Sequence, residues 1–174
     1  MAFFDTRPAL EEHAPYYARY VARVPAGDLR EVLATQGLAT RRLLAPLDET
    51  RALFRYAPEK WSVKEVVGHV ADSERIFAYR ALRFARGDTT PLPAFDETAY
   101  VPAAGFDRRS LATLLDDLAA VRAATQSLLA GLDEVAWQRT GTASGHPVSV
   151  RALACIIAGH EAHHVAILRE RYGV

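Results

Sequence analysis

Near the end of the chain, inside an apolar helix-forming run, three of its six histidines stand within five residues, in Gly159-His160-Glu161-Ala162-His163-His164. At about 100° per residue, His160 and His164 lie one helical turn apart and can grip a single ion. Leu153, Ile156, Ile157, Ile167 and Leu168 mark the apolar stripe of the same helix. Both histidines fall within about 20° of the centre of that stripe, whereas His163 lies roughly 80° away. Two imidazoles on a core-facing stripe need partners, because each unpaired polar group costs about 1–3 kcal/mol to bury. A bound metal would serve both at once. Hydrogen bonding within the core is the alternative, and this stretch alone leaves both open.

The same residues read His-Glu-x-x-His, the zincin signature in which the glutamate is a general base. Glu161 is therefore a candidate catalytic residue. A zincin needs a third ligand downstream, yet only ten residues follow His164, and Glu170 is the sole carboxylate among them. It sits too near on the same helix to close a site. A di-iron carboxylate centre needs two Glu-x-x-His pairs and two further glutamates, and Glu161 to His164 is the one such pair.

A chain of 174 residues suits a single domain spanning 1–174 with a sizeable core. Its formal net charge of zero argues against a nucleic-acid surface and against a polybasic membrane anchor. No segment approaches the roughly 18 apolar residues of a membrane span. Met1-Ala-Phe-Phe-Asp lacks the basic-then-apolar run of a signal peptide. The one cysteine, Cys155, rules out an internal disulfide and a Cys-rich zinc site, and on the wheel it points away from the histidine pair. The expectation is a soluble, cytoplasmic protein.

Four helix-forming segments follow a tyrosine-bearing N-terminal stretch containing Tyr16, Tyr17 and Tyr20. Asp28 with Glu31 predicts a reciprocal cap for the first long helix, which is expected to run toward Phe54 with Pro46 kinking or tightening it. Ser62-Val-Lys-Glu65 is the clearest capping box, opening a helix that runs to Gly87. His69 lies on that helix roughly 80° from its apolar stripe. There it either faces a neighbouring helix or sits on a solvated edge. The proline- and aromatic-rich stretch from Asp88 to Phe106 reads as a long ordered excursion, of the kind used as lids or binding loops. A third helix opens near Asp107 or Ser110 and stops at Gly131. Asp133 to Pro147 reads as a loop with a solvated His146, and Ser149 caps the last helix. No strand is evident. The prediction is an all-α four-helix bundle, its core at about 28–172, with a long crossover loop between the second and third long helices.

Trp61-Ser-Val-Lys-Glu-Val-Val-Gly-His69-Val-Ala-Asp-Ser-Glu-Arg75, Arg80-Ala-Leu-Arg83 and Gly-His160-Glu-Ala-His-His164 with Ile167-Leu168 resemble the DinB/YfiT-like family, over about Asp28 to Tyr172. The resemblance implies a four-helix bundle in which one histidine of the second helix and an i, i+4 pair of the last bind a divalent metal. Carried onto this chain, the ligands are His69, His160 and His164. Three imidazoles with an open fourth position suit a catalytic zinc site, and nitrogen ligation suits nickel equally. His163 and Asp96 are candidate fourth ligands.

Relatives in this superfamily use low-molecular-weight thiols such as bacillithiol or mycothiol, or act as metal-dependent hydrolases. The resemblance thus implies a metal-dependent thiol S-transferase or related hydrolase acting on a small molecule. Arg80 and Asp96 are candidate substrate-binding residues, and a homodimer is the oligomer it implies. The competing reading is a stress-induced metal-binding or interaction protein without turnover, which a fourth protein ligand closing the site would favour.

Overall fold

Each long helix begins where a short polar side chain takes over a free backbone N–H. The computed structural model describes residues 2–174. In it, Asp28 caps Leu29–Leu44 (α2), Ser62 caps Val63–Ala85 (α4), Ser110 caps Leu111–Ala130 (α6) and Ser149 caps Val150–Ile167 (α8). Such a cap is worth about 1 kcal/mol. Ser62 forms the full reciprocal box with Glu65. At Asp28 the expected return bond from Glu31 is replaced: Arg30 supplies both its backbone N–H and its guanidinium to the Asp28 carboxylate. Short helical turns fill the connections, at Ala18–Val21 (α1), Glu49–Ala52 (α3), Glu97–Ala104 (α5) and Glu134–Gln138 (α7).

The first long helix stops at Leu44 rather than continuing toward Phe54. Pro46 has no N–H to extend the ladder, and Asp48 starts a separate turn by accepting from the Arg51 N–H. The region after α6 also differs from expectation. It holds a two-stranded antiparallel hairpin, Thr140–Ala143 (β1) with His146–Ser149 (β2). Ser144 and Gly145 turn it with φ of 54° and 80°, the paired positive φ that a two-residue hairpin requires. Strands of four residues containing Gly141 and Pro147 carry too little alternation to be read from sequence, and the Ser-Gly dipeptide is their one signal. The hairpin anchors the crossover excursion: the Leu92 N–H donates to the Thr142 carbonyl at 2.9 Å and the Ser144 N–H to the Leu92 carbonyl at 3.0 Å.

α4 packs on α8 and α6, and α2 packs on α6 and α8. The apolar interior comes in two parts. One contains Leu29, Leu33, Phe77, Phe84, Trp137, Leu153 and Ile156. The other contains Leu44, Val66, Val70, Leu114, Leu118 and Leu168. Every long helix passes from one part to the other through buried polar residues: Thr40 on α2; His69, Ser73 and Glu74 on α4; Arg122 and Thr125 on α6; His160 and Glu161 on α8. A polar belt therefore divides the core, and the sequence motifs of α4 and α8 lie within it. No helix among the described residues is long and apolar enough to cross a membrane.

Candidate metal centre

His69 projects from the N-terminal third of α4 toward the pair that α8 presents one turn apart. The Nε2 atoms of His69 and His164 each lie 3.1 Å from Nε2 of His160. The three donor atoms all fall within 4.8 Å of one another. A tetrahedral zinc with bonds of about 2.0–2.1 Å holds its nitrogens about 3.3–3.4 Å apart, so the cluster fits an ion with small ring adjustments. No carboxylate or thiolate joins the group among the described residues.

The three rings are kept neutral, which leaves lone pairs for a ligand bond. Burial holds His69 down at about pKa 4. Burial is also the main cause that puts His160 and His164 well below the usual imidazole range, reinforced by the neighbouring histidines and Arg19. Trp61 fixes ring orientation from one side, its ring 4.6 Å from that of His69 and stacked on that of His164 at 6.5 Å. Trp61 is itself held by the Tyr172 hydroxyl, which donates to its carbonyl at 2.7 Å from the π-helical turn Leu168–Tyr172 that ends the last helix. From the other side, Tyr20 stands edge-on to His160 at 5.3 Å.

The triad forms one wall of a cavity of about 270 Å³. The facing walls carry Tyr16, Tyr17 and Arg19 from the N-terminal segment, and Phe95 and Glu97 from the crossover. Gly159 makes this possible. A Cβ there would lie 2.0 Å from the Tyr20 carbonyl oxygen, so its lack of a side chain lets α1 lie against α8.

The other expected site residues are placed differently. Glu161, one residue from His160, turns into the bundle and not toward the histidines. Its Oε1 accepts from the Thr40 hydroxyl at 2.5 Å, and its Oε2 from Arg122 Nη2 at 2.5 Å. Arg122 also grips Glu74 through two bonds of 2.9 Å and donates to the Leu33 carbonyl at 2.7 Å. Both oxygens are thus taken by Thr40 and Arg122, and the side chain is buried.

Arg80 is buried and stands outside the cavity lining, donating to the Pro93 carbonyl at 2.7 Å and to Ser144 Oγ at 3.1 Å. It fastens the crossover to the hairpin. Asp96 is exposed and caps α5, accepting from the Thr98 and Ala99 N–H groups, while its neighbour Glu97 faces the cavity. His163 lines the cavity, half-buried against Tyr20, but is not among the converging donors. Sequence reasoning missed Arg19 and Glu97. The tyrosines around Arg19 were the one visible signal, and nothing local marked Glu97.

YfiT from Bacillus subtilis, described as a probable metal-dependent hydrolase with an unusual four-helix bundle topology, aligns with a TM-score of 0.66 over 99% of this chain and 99% of its own. At 18% identity that likeness establishes a shared fold. No curated protein matches the chain. The family model described as the DinB superfamily matches residues 33–168, more than three quarters of the sequence and all three converging histidines, and the chain belongs to that superfamily.

Proposed function

We propose that this protein is a divalent-metal-dependent enzyme acting on a small molecule, with His69, His160 and His164 as the metal ligands. The observation that carries the reading is the convergence of three imidazoles, two buried and that of His164 half-buried, on the wall of an open cavity. A bound ion would supply a Lewis acid there, lowering the pKa of water or of a thiol brought to it. The chain's own residues provide the rest. The His69, His160 and His164 Nε2 atoms would hold the ion, Trp61 keeps two of the rings aligned, and the facing wall would receive the substrate. Among the described residues Glu97 is the only carboxylate lining the cavity, and it would be the group that moves a proton.

Metal-dependent hydrolysis is the leading reaction class, supported by the description of YfiT, which shares the fold. Transfer to a low-molecular-weight thiol such as bacillithiol uses the same metal position and is the second class to assay. Zinc and nickel both suit an all-imidazole site. The test is metal content by mass spectrometry on untagged protein, followed by ester, amide and thiol-transfer assays on the loaded chain. About one ion per chain is expected. His160→Ala is expected to abolish stoichiometric uptake while retaining the helical circular dichroism spectrum. Undiminished metal content in that variant would overturn the ligand assignment.

A further inference from the structure

We propose that Arg19 recognises the carboxylate of a small organic acid, making an anionic substrate with a short apolar body the ligand class of the cavity. This rests on the metal-dependent reading above and adds the substrate's charge to it. Arg19 is the sole lysine or arginine lining the cavity, and it has no carboxylate partner among the described residues. Of the two buried arginines nearby, Arg122 is held by Glu74 and Glu161, and Arg80, which lies outside the cavity lining, uses Nη2 for the Pro93 carbonyl and Ser144.

Arg19 is also held in place. Its guanidinium carbon lies 4.1 Å from the centre of the Tyr16 ring and 4.8 Å from that of Tyr20. Nη2 donates to the Tyr20 hydroxyl at 2.9 Å, and the Tyr16 and Tyr20 hydroxyls are 3.3 Å apart. A guanidinium has five N–H donors in a planar fork. The tyrosines orient it through its face and one donor, leaving an edge for a carboxylate, which matches that fork with two parallel bonds.

The electrostatics of the cavity agree. A bound divalent ion would add two positive charges to that of Arg19, and among the described residues Glu97 is the sole opposing carboxylate on the walls. With the ion bound, an anion would be drawn in and a cation repelled. Phe77, Phe95 and Trp61 supply apolar surface for the rest of the molecule. A volume of about 270 Å³ is just below the usual range of ligand pockets, roughly 300–1,000 Å³, so the body must be short. Arg19 lies outside residues 33–168, so this recognition belongs to the N-terminal segment of the chain rather than to the part matched by the family model.

Isothermal titration of the zinc-loaded full chain with phenylacetate and with neutral 2-phenylacetamide tests the proposal. The wild-type chain is expected to prefer phenylacetate by about tenfold or more, a charge-assisted pair being roughly twice as strong as a neutral one. Arg19→Gln is expected to lose that preference and Arg19→Lys to keep part of it. Zinc content and imidazole binding, which report the metal position alone, should be unchanged in both variants. Retention of the preference in Arg19→Gln, or its absence from the wild-type chain, would overturn the assignment. A wild-type chain that takes up no zinc would instead overturn the metal reading. The same titrations on the metal-free chain would then decide the role of Arg19, because the guanidinium does not need the ion.

Discussion

His160 and Glu161 are chain neighbours, both buried, yet they serve two polar regions of opposite character. His160 joins the triad, where neutral rings converge on one another and face a cavity. Glu161 joins Thr40, Glu74 and Arg122, where formal charges are sealed in the bundle and each carboxylate oxygen has a donor. The step of about 100° between successive helix residues separates the two. In one region the donors are satisfied by the protein itself, so nothing remains for a ligand. In the other the polar atoms share only each other, and the remaining capacity points into open space. Burial of polar groups alone does not mark a candidate site; their convergence on a cavity with unspent bonding capacity does.

The sharpest way to break this comparison is to remove the cation from the sealed region. Burial disfavours the Arg122 guanidinium, but the two carboxylates outweigh it and hold its pKa above the usual arginine value. Arg122→Met would leave Glu74 and Glu161 buried without a counter-charge. The expected loss is about 3–5 kcal/mol, read by urea denaturation. Replacing all three ionised residues by apolar ones of similar size is expected to cost less than that single change. A loss below about 1 kcal/mol for Arg122→Met would mean that the network is not sealed.

Proton binding tests the other region. In the metal-free chain, His69 titrates at about 4 when folded, against an ordinary value of 6.5. The unfolded chain therefore binds more protons between those limits. The stability linked to this neutral ring is fully present above pH 6.5 and is lost as the pH falls toward 4. A shift of that size corresponds to roughly 3 kcal/mol. His160 and His164 act in the same direction. Thermal denaturation of metal-free protein should show Tm falling below pH 6.5, and His69→Gln should flatten the slope. An unchanged slope in that variant would mean that His69 is already solvated.

These two regions were not equally legible in the sequence. Caps such as Ser62 and Ser149 are local patterns, and the His160/His164 pair declares itself because both residues share one helix face. His69 sits off the apolar stripe of α4, and only its motif resemblance linked it to the pair. Its environment is set by α8, which no periodicity of α4 can report. Glu161 was readable as a zincin base because Arg122 and Thr40, which take its oxygens, come from other helices. Arg80 stands out in sequence by its place about three turns from His69, but its contacts to Pro93 and Ser144 depend on the crossover and a hairpin invisible to periodicity, while Asp96 caps α5. Glu97, one residue from Asp96, occupies the cavity because of how α5 is set down, and nothing local distinguishes the two acids.

The smallest effect concerns what brings the facing wall to the triad, and here the sign of the change decides the question. Gly159 lies in mid-helix, where glycine costs about 1 kcal/mol relative to alanine. If the helix alone mattered, Gly159→Ala would stabilise the chain by about that much. The Cβ would instead meet the Tyr20 carbonyl oxygen and carbon at 2.0 and 2.4 Å. These are backbone atoms, so relief requires moving α1 rather than rotating a side chain. Overpacking of this kind costs about 1–3 kcal/mol, which gives a net change between nearly zero and a loss of about 2 kcal/mol. The displaced segment carries Arg19 and the tyrosines, whereas the three histidines stay on α4 and α8. Gly159→Ala should therefore keep its zinc stoichiometry while backbone amides of residues 17–22 exchange faster with solvent. A stabilised variant with unchanged exchange would show that α1 does not depend on this contact, and that the cavity wall is held by its aromatic packing alone.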